Sequence, residues 1–151
     1  MASIDTPFGR VFWYFMGASV KAIQAMTRNV ICVREADTLK IVFDLIAEWD
    51  IRHFPVTDDG RVVGIITDRD ILPYSLESGS AVFWGRTVAD TMSRKVITSS
   101  PDDPISLIAG LMISNKIDCV PIIEPSDKKL VGLVTSTDLV DLLREREILD
   151  L

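Results

Sequence analysis

The feature that most constrains this chain is a repeat. The stretch Val62-Val63-Gly64-Ile65-Ile66-Thr67-Asp68-Arg69-Asp70-Ile71-Leu72 returns near the C-terminus as Leu130-Val131-Gly132-Leu133-Val134-Thr135-Ser136-Thr137-Asp138-Leu139-Val140. In each, an apolar run rich in β-branched residues breaks at a Thr and gives way to helix-patterned residues, which reads as a strand running into a helix N-terminus. Met26 and Met92, Cys32 and Thr98, and Pro55 and Pro121 all lie 66 positions apart, and beyond the prolines the spacing becomes 68. Two residues have entered the second copy, in Glu124-Pro125-Ser126-Asp127-Lys128-Lys129, which replaces the tighter Asp58-Asp59-Gly60-Arg61. An insertion in a turn is what a shared fold tolerates. The chain is two copies of one unit.

Residues 20–26 and 88–92 read as short helices leading into the units, and residues 30–33 and 96–98 as short strands by their β-branched content. Helix starts follow at Asp37-Thr38 and Asp103-Pro104, where the missing N–H of Pro104 costs nothing. Leu39, Val42, Phe43, Ile46 and Trp49, and in the second copy Ile105, Ile108, Leu111 and Met112, recur at helical spacing and are expected core faces. A second strand holds Phe54-Pro55-Val56 or Val120-Pro121-Ile122, and the proline confines it to an edge or end position. Each copy is thus β-α-β-β-α and about sixty residues long, small for an independent domain. The expectation is an α+β fold of two such repeats packed with pseudo-two-fold symmetry. Its divisions are an arm at 1–19, a first repeat at 20–76, a linker at 77–86, a second repeat at 87–143 and a charged tail at 144–151.

With 48% hydrophobic residues and a net charge of -6, the 151-residue chain is a globular acidic protein whose field repels nucleic acid. Cys32 and Cys119 fall at non-equivalent places, as expected of reduced thiols in a cytoplasmic protein. One histidine and no cysteine cluster leave no basis for a zinc site. The run Val11-Phe12-Trp13-Tyr14-Phe15-Met16 is too short for a membrane span, which needs roughly 20 apolar residues, and too aromatic for a signal peptide. It packs on the chain's own core or covers an apolar groove on a partner subunit. The linker carries a second apolar patch, Val82-Phe83-Trp84, and Arg144-Glu145-Arg146-Glu147 reads as a solvated face.

Across residues 20–143 the chain resembles a tandem pair of CBS domains, the regulatory unit called a Bateman module. The resemblance rests on the Met26 and Met92 openings, the apolar strands around Pro55 and Pro121, and the two Gly-x-x-Thr-x-x-Asp segments. It implies units packed through their sheets, clefts able to hold adenine nucleotides, and association of two modules into a disc-shaped dimer. An adenine pocket would involve Val30, Ile31, Phe54 and Pro55, with Val96, Ile97, Val120 and Pro121 in the second copy. Possible ligands are AMP, ADP, ATP or S-adenosylmethionine, and no cofactor is required. The post-motif helices carrying Leu72, Leu76, Leu139 and Leu143 would form a homodimer.

The Thr-x-x-Asp spacing has two physical readings. Thr67 with Asp70, and Thr135 with Asp138, match a capping box, although Glu or Gln is its usual acid. The same helix start offers N–H groups and a hydroxyl to a phosphate, while the carboxylate can accept from both hydroxyls of a ribose. Asp70 and Asp138 are therefore candidate ribose ligands, and Thr67 and Thr135 candidate phosphate ligands. The first copy adds Arg52, His53 and Arg69, to which the resemblance assigns phosphate contacts. The second has Asp118, Cys119 and Thr137 at those places, and Asp118 would repel a polyphosphate unless another cation intervened. No catalytic constellation is present, since His53 is the sole histidine and stands beside no nucleophile. Two functions stay open: a sensor of adenosyl ligands that signals to a regulated protein, and a structural or oligomerisation module with vestigial clefts acting through protein contacts.

Overall fold

The computed structural model describes residues 20–75 and 84–149; the N-terminal arm, Leu76 and most of the linker lie outside these. Helix α1 (Ala22–Ala25) precedes α2 (Leu39–Trp49), a hairpin of β1 (His53–Asp58) and β2 (Arg61–Thr67), and α3 (Asp68–Ser75). The second unit repeats the order as a 3-10 turn (Val88–Asp90), α4 (Ile105–Asn115), β3 (Cys119–Ile123), β4 (Leu130–Thr135) and α5 (Ser136–Leu149). Both sheets are antiparallel and two-stranded. His53 faces Thr67, Cys119 faces Thr135, and each pairing slips after the aligned residues Val56 and Ile122. The tighter hairpin turns on Asp59 (φ 46°) and Gly60 (φ 77°), a pair of left-handed residues that matches the twist of the flanking strands.

The expected first strand of each unit is reduced to one parallel bridge, Val33 to Val56 and Ser99 to Ile122. Its other residues are spent in crossing the molecule. Thr27 is bridged to Leu133 of the second unit's sheet and Ser93 to Ile65 of the first, so each leader starts on the opposite unit and reaches its own only at Val33 or Ser99. The helices before the repeats are likewise exchanged. Ala22 and Met26 are buried with Ile105, Ile108 and Val134, whereas Val88 and Met92 are buried with Leu39, Phe54 and Ile66. This crossing explains the glycines of the repeated motif. A side chain at Gly64 would collide with Met92 Sδ, and one at Gly132 with Met26 Sδ. The Met openings and the Gly segments are thus matching halves of two contacts, each made between units.

Arg61 is bridged to Lys129, its own counterpart, so the pseudo-two-fold axis passes between them. The Leu130 N–H donates to Gly60 O (2.9 Å) and Arg61 Nε to Asp127 O (3.1 Å) at the same place.

Two local expectations need correction. Asp37 and Asp103 do not cap the following helices; they close the preceding turns, accepting from the Arg34 N–H (2.7 Å) and from Ser100 N–H (2.7 Å) and Ser99 Oγ (2.5 Å). Thr38 and Pro104 hold the cap positions instead. Phe43 and Trp49 are not core residues but 41% and 58% exposed. Phe43 sits at the border of the α2 core stripe and meets the edge of Trp84 at 6.1 Å, and Trp49 ends the helix before Asp50 turns left-handed. Pro73 lies inside α3, and its counterpart in α5 is Asp141. Among the described residues no helix is long and apolar enough to cross a membrane.

Candidate functional site

The two Thr–Asp pairs are built alike. The Thr67 N–H and hydroxyl both donate to Asp70 Oδ2 at 2.8 Å, and Thr135 repeats this on Asp138 Oδ2 at 2.6 and 2.8 Å. Each strand end is thereby clamped to the first turn of the helix that follows, and the half-buried Asp is oriented by two donors. The capping reading describes these contacts, and both Thr hydroxyls are engaged within the chain. Among the described residues, Oδ1 of neither Asp accepts a hydrogen bond, so an oriented carboxylate oxygen remains in each unit.

The strand starts dock beside those helix starts. The Asp68 N–H donates to Arg52 O (3.0 Å) and the Ser136 N–H to Asp118 O (2.9 Å). This brings Arg52, His53, Asp68 and Arg69 together, and it brings Asp118 to them across the pseudo-axis, where Arg69 Nη2 lies 3.2 Å from Asp118 Oδ2. Arg69 is the cation that answers the Asp118 charge. Its counterpart is Thr137, and that of Asp118 is Arg52, so the mirror-related place pairs no opposite charges. Asp68, not among the sequence candidates, adds a carboxylate beside Arg69, and its Oδ1 takes the Arg69 N–H at 2.8 Å. The signal was present in Thr67-Asp68-Arg69-Asp70 against Thr135-Ser136-Thr137-Asp138, since an acid at the first helical position occupies the donors a phosphate would use.

His53 is held below its usual value near 6.5, first by burial, with Arg69 and Arg52 adding to the depression and Asp118 and Asp68 opposing it. Near neutral pH the imidazole is uncharged. Burial, with help from Asp118, pushes the aligned Cys119 thiol up to about 12, and burial raises Cys32 as well. Both cysteines are free thiols.

Of the residues assigned to an adenine pocket, Val30, Ile31, Val96 and Ile97 are half-buried on the crossing segments. Pro55 and Pro121 are buried on the hairpins, each accepting through its carbonyl from the crossing segment, by Val33 N–H and Ser99 N–H at 3.1 Å. Phe54 and Val120 are wholly enclosed in the two cores. Shape alone points elsewhere, to an open groove of about 580 Å³ lined by Arg34, Glu35, Asp58, Asp59 and Gly60. That groove lies at the turn end of the β1–β2 hairpin, opposite the Thr67 end. Oriented carboxylates recur in both units at the Thr–Asp pole, whereas the groove is an acidic turn of the first unit alone.

Comparison with known proteins agrees with the duplication. The model of the family described as "CBS domain" matches residues 20–77 and again 88–145. The chain is 30% identical over 121 residues to the homoserine O-acetyltransferase of Methanohalobium evestigatum, a match covering 80% of this chain and 23% of that protein. It spans less than half of the length of such sequence relatives. Among solved structures, the CBS domain pair of protein MJ0100 in complex with 5'-methylthioadenosine and S-adenosyl-L-methionine superposes with a TM-score of 0.74 at 25% identity, over 85% of this chain and 99% of that one. A putative acetoin utilization protein (AcuB) from Vibrio cholerae gives a TM-score of 0.76 at 26% identity, over 88% and 96% of the two chains.

Proposed function

The chain belongs to the CBS-domain family, and from that premise we propose that it is a non-catalytic regulatory module that binds an adenosyl ligand and passes the change to a regulated protein. The observation that carries this reading is the duplicated, oriented carboxylate. Asp70 and Asp138 are each aimed by two donations to Oδ2, which leaves Oδ1 to accept from ribose hydroxyls. Val30, Ile31 and Pro55, with Val96, Ile97 and Pro121, supply apolar surface for an adenine, backed from the cores by Phe54 and Val120. The solved complex of the MJ0100 pair with two adenosyl compounds supports the same ligand class.

The charge balance at the pole refines the choice. Arg52 and Arg69 are offset by Asp68 and Asp118, and His53 is neutral, so the site favours ligands of low negative charge over a triphosphate. AMP and S-adenosylmethionine fit it better than ATP. Thr67 and Thr135 would meet a phosphate only after giving up their bonds to Asp70 and Asp138. The exposed Leu72 and Leu143, with half-buried Leu139, sit on α3 and α5 and favour a homodimer through those helices.

Calorimetry with AMP, ATP and S-adenosylmethionine tests the reading. Each ribose-facing carboxylate accepts hydrogen bonds from the hydroxyls, and a hydrogen bond to a charged group contributes about 1.5 to 3 kcal/mol. Asp70→Ala or Asp138→Ala should therefore eliminate one binding event, and the double variant both. Because each Asp also clamps a helix start, a cost of about 1 kcal/mol in stability accompanies the change, so folding is checked by thermal melting. A folded double variant that binds with undiminished affinity refutes the site.

A further inference from the structure

Helices α2 and α4 occupy equivalent places, yet their outer rows differ in kind. The exposed row of α2 is Lys40, Asp44 and Glu48, and 66 positions on the exposed row of α4 is Ser106, Gly110 and Ser114. Residues four apart line up on one face of a helix, so each triplet is a straight row. Beside the rows, apolar side chains are exposed at aligned places, Ile41 at 43% and Leu107 at 46%. Helix α4 adds Ile113, 79% exposed, and α5, which packs against α4, adds Val140 at 64%. Exposed apolar side chains gathered on adjoining helices mark an interaction face.

Each row complements itself when turned end for end. A two-fold axis crossing α2 at Asp44, with the direction of the helix reversed, would set Lys40 against Glu48 of a second copy and Glu48 against its Lys40, two opposite-charge pairs at once. The Asp44 carboxylate nearest the axis is already answered within its own helix by Lys40 Nζ at 2.5 Å, and 54% of the Lys40 side chain stays exposed in that pair. The same operation on α4 would set Ser106 against Ser114 and Gly110 against Gly110. Among the described residues nothing lies within 4 Å of a side chain built at Gly110, and a helix contact made through glycine brings the two axes close. Setting α2 on α4 instead would press Lys40 and Glu48 onto a row without a charge, and desolvate both unanswered.

We propose that a second copy of this chain covers these helices like on like, α2 on α2 and α4 on α4, across one two-fold axis that passes Asp44 and Gly110. The self-matching charges of the α2 row select the second copy as the occupant and set its direction, and the uncharged row of α4 with its exposed Leu107 and Ile113 supplies the apolar half of the contact. This rests on the homodimer reading above and adds which units meet. It is independent of any ligand at the Thr–Asp pole.

Disulfide cross-linking of the full chain tests it, in a Cys32→Ser background that leaves only the buried Cys119. Asp44→Cys and Gly110→Cys are oxidised separately and as a mixture in which one carries a size tag, and sedimentation gives the oligomeric state of the parent chain. Each variant alone should cross-link into a dimer, as a residue beside a two-fold axis does, and no product should join one variant to the other. Glu48→Lys sets ammonium groups against each other at two places and should raise the dimer dissociation constant about tenfold, and Lys40→Glu added to it should restore the parent value. Cross-links that join Asp44→Cys chains to Gly110→Cys chains place α2 on α4 and overturn the proposal, as does a dissociation constant that Glu48→Lys leaves unmoved or that the added Lys40→Glu fails to restore. If either variant alone fails to cross-link while the parent sediments as a dimer, the like-on-like contact falls and the homodimer stands. A parent chain that sediments as a monomer at micromolar concentration overturns both.

Discussion

The two units repeat the same backbone features and differ at the pole in the charge that their side chains carry. The clamp on the strand end has the same partners in both, with N–H donations of 2.8 Å in the first and 2.6 Å in the second. The left-handed helix ends fall at the aligned residues Asp50 and Lys116, with φ of 51° and 54°. At the pole, by contrast, Arg52, His53, Asp68 and Arg69 stand against Asp118, Cys119, Ser136 and Thr137. Duplication has preserved a scaffold with two oriented carboxylates and let one end of it become an asymmetric charge cluster. That asymmetry gives the two Thr–Asp pairs different charge surroundings without any change in fold.

The strongest way to break the likeness is through the exchanged methionines. Gly64→Ala places a methyl group against Met92 and Ser93 O, and Gly132→Ala against Met26, so the methionines must shift to make room. Each should destabilise by about 1 to 3 kcal/mol, since overpacking moves side chains off their rotamers. Chemical denaturation measures this, and a double-mutant cycle identifies the partner. Gly64→Ala should couple to Met92→Val and be additive with Met26→Val. Coupling within a unit instead of between units would contradict the crossing.

Much of this could be read from the sequence, and what could not has physical causes. The repeat gave the element order because strand and helix periods are local, and Pro55 and Pro121 marked edge strands because a missing N–H is a local fact. The crossing was invisible: Met26 and Gly132 lie 106 positions apart, and nothing in either predicts which unit a leader packs on. The same crossing shortened the first strands to single bridges. Phe43 at helical spacing looked like core, and only the return of Trp84 shows why it is at the border. At the site, the charges were legible one by one, but the meeting of Arg69 with Asp118 depends on the pseudo-axis.

The next prediction sharpens the difference at the pole. If Arg69 holds a phosphate, Arg69→Ala should lower AMP affinity by roughly tenfold, the worth of one charge-assisted hydrogen bond, and leave adenosine unchanged. Thr137→Ala, at the aligned place, should do neither. Titration calorimetry with both ligands decides, and equal losses for AMP and adenosine would return Arg69 to a purely structural role.

Asp118→Ala should act in the opposite direction and more weakly. It removes the carboxylate 3.2 Å from Arg69, in a pair whose side chains are 77% and 44% exposed. Pairs so open to water contribute at most about 1 kcal/mol, so AMP affinity should rise by up to about fivefold, and less at high salt. An unchanged or lower affinity would mean that Arg69 is not withheld from the ligand by Asp118.

The smallest effect is on acid stability, and it belongs to the first unit alone. Burial holds His53 below its usual value near 6.5, so on acidification the unfolded chain takes up the proton first. The stability tied to the neutral imidazole is complete above about pH 6.5 and is lost as pH falls from there through the lower folded-state value. In the second unit the aligned Cys119, pushed up to about 12, stays a neutral thiol throughout that range and contributes no slope. His53→Gln should therefore melt with a smaller drop between about pH 7.5 and about pH 5.5 than the parent chain, whereas Asp118→Ala, which removes the main carboxylate raising the imidazole, should deepen it. Asp90 and Asp103 are held below the usual carboxylate range chiefly by the backbone N–H groups of Thr87 and Ser100. Their share is common to all three proteins and cancels in the difference. Parallel melting curves for the parent and His53→Gln would show that the imidazole carries no part of the acid response.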